Sequence, residues 1–189
     1  MNKIFLIAII SLFAVLGCSS SEEFVKNEIE IELSDIVINS QSKNLSVKSP
    51  QNWSSVEDNF ETIFDIWLVS PNNKAVISFT PLSINNNSRI DSDEEAIKLL
   101  SKISLERKKS SNSDFKSETE IQYEETDKFL FSQLYYEIED KQFKSVIFGK
   151  NNTYYECLAY FSKSYTPTED EYEALFKLQT LIISTANFK

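Results

Sequence analysis

Any chemistry in this chain falls to carboxylates, hydroxyls and amines, because its 189 residues include no histidine. Without an imidazole there is no Ser-His-Asp or Cys-His relay, and the commonest ligand of catalytic zinc is missing. Two acidic groups are dense enough to consider. Asp91, Asp93, Glu94 and Glu95 offer several oxygens, as Ca²⁺ prefers. Their spacing lacks the EF-hand glycine and its distal bidentate glutamate, and the same residues suit the start of a helix. Glu118, Glu120, Glu124 and Glu125 adjoin or alternate on a polar stretch and read as the solvated face of a strand. A carboxylate pair about 5–10 Å apart can hydrolyse a glycosidic bond, so a carboxylate-dependent glycan hydrolase stays as the alternative. No catalytic residue, metal ligand or cofactor is assigned. Apart from Gly17 the chain has one glycine, Gly149, which excludes glycine-rich phosphate loops.

The two cysteines have different settings. Cys157 lies within Tyr154-Tyr155-Glu156-Cys157-Leu158-Ala159-Tyr160-Phe161 and is expected to be buried as a small hydrophobe. Cys18 ends a segment with Lys3 at its head, an apolar run from Ile4 to Leu16, and polar Ser19-Ser20-Ser21-Glu22-Glu23 behind it. A basic end, an apolar stretch and a small residue before the cut are the parts of a secretory signal. The run is shorter than the roughly 18–20 residues that span a bilayer. Val15-Leu16-Gly17-Cys18 resembles a lipobox, which implies cleavage after residue 17 and diacylation of the Cys18 sulfur. Two or more acyl chains anchor durably, so the expected partner of the N-terminus is a membrane. Ser19 is not the aspartate that marks inner-membrane retention, which favours the outer membrane in a Gram-negative host. The expected organisation is a signal peptide at 1–17, a lipidated tether at 18–27 and one domain at 28–189.

The net charge of −10 argues against nucleic acid, which demands clustered Lys and Arg. It argues equally against anionic headgroups. That leaves the aromatics as the recognition candidates: Trp53, Tyr135, Tyr136, Tyr154 and Tyr155, with Trp67 and Tyr160. Such side chains combine an apolar body with a polar handle and dominate binding surfaces. Neighbours on a strand point to opposite faces, so each Tyr pair must split. A sheet face left partly uncovered by helices would present a row of tyrosines, and a covered one would make them core with hydroxyls at its rim.

The elements that hold these residues follow from periodicity. Ile29, Ile31 and Leu33 alternate with glutamates, predicting a strand that Ile36-Val37-Ile38 extends. Leu45 to Val47 predicts a short strand ending at Pro50. Residues 63–69 and 75–80, joined by Ser70-Pro71-Asn72-Asn73-Lys74, predict a hairpin, and Asn85 to Ser88 a loop. Ser92-x-x-Glu95 predicts a capping box, followed by a helix facing the core through Ala96, Leu99, Leu100, Ile103 and Arg107. Lys116 to Glu124 predicts an edge strand. Strands at 129–138, 143–148 and 153–162, turning at Asp140-Lys141 and at 150–152, predict an antiparallel meander. Thr168-x-x-Glu171 opens a second helix with Tyr172, Leu175, Phe176, Gln179 and Ile183 on one face. The fold class is α+β, an antiparallel sheet with two main helices packed on it.

In this order the chain resembles the PsbP and DcrB group, which shares its fold with the Ran-binding Mog proteins. The resemblance covers roughly residues 43–189. Its most specific piece is Val47-Lys48-Ser49-Pro50-Gln51-Asn52-Trp53, similar to the group's strand-Pro-x-x-Trp opening, with Asn52 where a glycine is usual. It implies an α/β/α sandwich and a binding role without a shared catalytic site. The expectation is a non-enzymatic envelope lipoprotein that serves as a binding or accessory module for another envelope protein. A small-ligand carrier is the further alternative, and the oligomeric state stays open.

Overall fold

The computed structural model describes residues 31–56, 63–84 and 90–189. The signal peptide, Cys18, the tether, the start of the first expected strand (Glu28, Ile29, Glu30) and the loop at Asn85–Ser88 lie outside the described residues.

At the centre is the meander: β8 (Leu130–Ile138), β9 (Lys141–Lys150) and β10 (Thr153–Phe161). Both joining turns have two residues, since Ile138 pairs with Lys141 and Lys150 with Thr153. Glu139, Asp140, Asn151 and Asn152 all have positive φ, at 50°, 58°, 53° and 63°. Paired left-handed residues give a turn whose twist matches that of the strands it joins. The first turn is therefore Glu139-Asp140, one residue before the expected Asp140-Lys141. Gly149, at φ 157°, lies where an added Cβ would come 2.2 Å from the Thr153 carbonyl oxygen.

The hairpin of β4 (Ile66–Val69) and β5 (Ala75–Leu82) joins the meander through β5, which runs antiparallel to β10 with Phe79 opposite Cys157. β3 (Ser54–Ser55) extends this side. On the other side the polar stretch expected as one strand breaks into β6 (Lys116–Ser117) and β7 (Gln122–Glu125), both paired with β8. A second sheet has β2 (Leu45–Pro50) between β1 (Leu33–Asn39) and β11 (Asn187–Phe188). β1 starts later than expected, and Ile31 is outside it. Asn52, at φ 62°, takes a left-handed backbone, which asparagine tolerates.

The helices α1 (Asp93–Ser111) and α2 (Glu169–Ser184) cover opposite faces of the large sheet. Alternation along the strands decides which residues meet which helix. Ile147 and Tyr154 join Ala96, Ile97 and Leu100 of α1 in one core. Val146, Phe148, Tyr155, Cys157 and Ala159 join Leu175, Phe176, Leu178 and Ile182 of α2 in a larger one, which also takes Leu45 and Val47 from the small sheet. Cys157 is buried there, as expected.

Both caps form, with one difference. Thr168 and Glu171 make the reciprocal box, each side chain bonding the other's backbone. Ser92 accepts from the Glu95 amide, but the Glu95 carboxylate accepts from Asp91 N–H, not from the cap residue itself. The buried face of α1 differs from the expected stripe: it is Ala96, Ile97, Leu100 and Ser101, while Ile103 is exposed and Leu99 is half-buried. The polar pairing under the helix accounts for this. Ser101 Oγ donates to the Ile97 carbonyl at 2.6 Å and lies against Ser132 Oγ, and Lys108 reaches Glu156 beneath.

Candidate binding site

The tyrosine pairs split between faces as alternation requires, and three of the five meander tyrosines are core, with Tyr135 and Tyr160 half-buried. Tyr136, 2 % exposed, is stacked between Phe143 at 5.1 Å and Phe115 at 5.3 Å. Tyr154 is buried under α1 and donates to Asp93 Oδ1 at 2.6 Å. Tyr155 is buried under α2 and donates to Asp65 Oδ2 at 2.7 Å. Burial pushes all three phenols up, Tyr154 to about 12. The open row of tyrosines is therefore corrected: α1 and α2 cover the positions that would have formed it. Trp53 is half-buried against the larger core, and Tyr135 is half-buried on the α2 face.

The acidic candidates also resolve into structural roles. Asp93 accepts from Tyr154 and from the Asn151 amide; Glu94 pairs with Lys98 on the helix surface. Among the described residues no group of three or more Cys, Asp or Glu side chains is arranged to hold a metal ion. Glu156, which the sequence reading passed over, is largely buried beneath α1 and takes hydrogen bonds from Lys108, Ser104 and Ser145. Burial works to raise its carboxyl, but the Lys108 charge and those hydrogen bonds outweigh it and hold the group low. An ionised Glu156 cannot donate a proton as a general acid.

Tyr135 leads to the site that matters. It forms one wall of an open groove of about 900 Å³ between α2 and the β7–β8–β9 part of the sheet. That volume is in the range of ordinary small-molecule sites, about 300–1,000 Å³. Phe176 meets Tyr135 edge-on at 5.6 Å, and Tyr172, Leu181 and Ile31 add apolar surface. The polar side chains on the walls are engaged with their neighbours: Gln133 with Glu124 and Gln122, Gln142 with Glu169, and the Thr180 hydroxyl with the Phe176 carbonyl.

At the floor lies Lys144, only 3 % exposed. Its ammonium donates to Thr180 Oγ1 at 2.8 Å and, at 3.4 Å, to the Phe176 carbonyl, and it lies 5.3 Å from the centre of the Tyr135 ring. Among the described residues it has no ion-pair partner. Burial pulls it down to about 8. The sequence reading missed Lys144, though a signal was present. It shares the parity of Val146 and Phe148 on β9, which fixes it on the core face.

No protein-family model matches the chain, and no curated relative does. A solved structure from Bacteroides thetaiotaomicron VPI-5482 is similar at 14 % identity with a TM-score of 0.45. The match covers 85 % of this chain and 49 % of that one, so the chain spans about half the length of the structure it resembles.

Proposed function

We propose that this protein is a non-catalytic, lipid-anchored binding module of the cell envelope, and that the groove between α2 and the sheet is its ligand site. One observation carries the reading: an apolar groove of about 900 Å³ whose wall polar groups are already engaged. Such a surface holds apolar matter. The strand-Pro-x-x-Trp opening and the helices on both sheet faces support grouping it with the PsbP and DcrB proteins. The Cys18 lipobox supports the anchor. Leu181 is on the groove wall and 37 % exposed, so Leu181→Glu introduces a charge there without emptying the core. In membranes carrying the full chain, an apolar photoprobe labels the wild-type groove and fails to label Leu181→Glu or Tyr135→Ala. Equal labelling of all three counts against the reading. Incorporation of an alkyne-tagged fatty acid that is lost in Cys18→Ala tests the anchor.

A docking role toward another envelope protein draws on a different feature. β1 is an edge strand of the small sheet, and its Ile36 and Val37 are 63 % and 54 % exposed. Edge strands with apolar side chains are templates for pairing with another chain. Ile36→Lys with Val37→Lys removes capture of a protein partner under this reading and leaves the groove unaffected.

A further inference from the structure

The floor of the groove holds a cation with no ion-pair partner among the described residues, Glu124 acting on it only from beyond contact. Lys144 has three N–H donors. One is taken by Thr180, one is weakly held by the Phe176 carbonyl, and the full positive charge has no carboxylate against it. A buried ammonium without a counter-ion is costly, and an incoming anion would offset that cost. The walls above it are hydrocarbon and aromatic edge, with their amides and hydroxyl already engaged. A peptide backbone laid there would leave its own N–H and C=O groups without partners, whereas an alkyl chain has none to satisfy. The lining also carries Glu124, Glu169, Asp170 and Glu173 against one further cation, Lys177, which is paired with Glu173. Those carboxylates disfavour an anion beside them, so a ligand with one anionic end is most stable with that end at the floor.

We propose that the groove binds a long-chain carboxylate head-down, its carboxylate meeting Lys144 and its alkyl chain lying along Tyr135, Phe176 and Leu181. This rests on the binding-module reading above and names the class of ligand. Lys144 recognises the head group, and the aromatic and leucine walls take the tail. The pairing is a charge-assisted hydrogen bond in a low-dielectric setting, where it is stronger than in water.

The test uses the full lipidated chain in its own membranes and two photoprobes, a diazirine-bearing hexadecanoic acid and the matching hexadecanol. Crosslinked peptides are mapped by mass spectrometry. The acid labels peptides containing Tyr135, Phe176 or Leu181 of the wild type at least about tenfold more than the alcohol, the factor that about 1.4 kcal/mol of head-group interaction gives. Lys144→Met keeps the length of the buried stem and loses only the charge; it labels equally with both probes. Lys144→Gln, which keeps a polar end, serves as the second variant, and protease resistance reports folding of each. Equal labelling of the wild type by acid and alcohol overturns the carboxylate inference while leaving the groove reading intact. Labelling of the groove by neither probe overturns both. Acid preference that persists in both Lys144 variants assigns the recognition to another residue and overturns the role given to Lys144.

Discussion

The Tyr155 hydroxyl donates to Asp65 Oδ2 at 2.7 Å, joining β10 to the start of β4 across 90 positions of sequence. Ser42 completes the group: its amide donates to Asp65 Oδ1 at 2.7 Å and its hydroxyl lies 3.0 Å from the Tyr155 oxygen. A buried tyrosine needs a partner for its hydroxyl, and here the partner also fixes the loop that leads into β2. Tyr155→Phe keeps the ring packing and removes one donor from a buried carboxylate. It is expected to lower stability by about 1–3 kcal/mol, seen as a lower urea midpoint with an unchanged slope. An unchanged midpoint would mean that Ser42 alone satisfies Asp65.

Glu139 occupies the first position of a two-residue hairpin turn with φ 50°, a conformation that suits Asn or Gly. Its carboxylate is surface-exposed, and its ion pair with Lys163, at 3.8 Å, is solvated on both sides. Glu139→Asn is therefore expected to raise stability by about 0.5–1 kcal/mol. Thermal unfolding followed by circular dichroism reads this as a higher midpoint.

Lys108 and Glu156 form a largely buried ion pair beneath α1. Removing one member strands the other, and a stranded buried charge costs about 3–5 kcal/mol. Lys108→Met alone should destabilise strongly, and Lys108→Met with Glu156→Gln should recover most of the loss. A double-mutant cycle in urea measures the coupling; additive losses would show that the pair contributes nothing as a pair.

Lys144 makes stability depend on pH in a direction opposite to a salt-bridged lysine. Its folded value of about 8 lies below 10.5, the ordinary one. Below about pH 8 both folded and unfolded chains hold the proton, and the native state bears the whole desolvation cost. From about 8 to 10.5 the unfolded chain holds more protons than the native one, so native stability rises with pH. Two groups facing Lys144 oppose this rise in the upper part of the window, because the native state keeps the Cys157 and Tyr135 protons past their ordinary values of 9.0 and 10.0; the difference from Lys144→Met at each pH isolates the lysine. Burial raises Tyr135, with Glu124 adding to it, and burial raises the Cys157 thiol; no titratable side chain of α2 contacts the ammonium among the bonds it makes. Lys144→Met is expected to be more stable than the wild type at pH 7, by on the order of 3 kcal/mol, with the gap closing above pH 8. A gap independent of pH would show that the ammonium is solvated.

The meander was legible because its strands alternate and its Asn-rich and acidic turns interrupt them sharply. β10 reads directly from Tyr154 to Phe161, and its alternation correctly split Tyr154 from Tyr155. What alternation could not give was cover. Whether Tyr154 is surface or core depends on α1, and the rotation of α1 depends on Ser101 meeting Ser132, a contact between two small polar residues without a sequence signature. Ile97 and Leu99 flank Leu100 on opposite sides, so the apolar pattern fitted two stripes and the polar contacts chose between them. The groove was hidden for a related reason. It is made by α2 standing over β8 and β9, and Lys144 at its floor looks like one surface lysine among many until the parity of β9 is taken into account.

The small sheet joins the two ends of the described domain. β2 pairs with β11 through Leu45–Phe188 and Ser46–Asn187, and the Lys48 amide donates to Thr185 Oγ1 across 137 positions. Contacts of such long range form late, after most of the loop-closure entropy has been lost. The larger core around Leu45 and Phe129 has no Phe188 against it until residue 188 has been made. The domain therefore reaches its final packing only when strands from both ends of the described chain are present, so a cut between β2 and β11 separates two parts of one core instead of trimming an end.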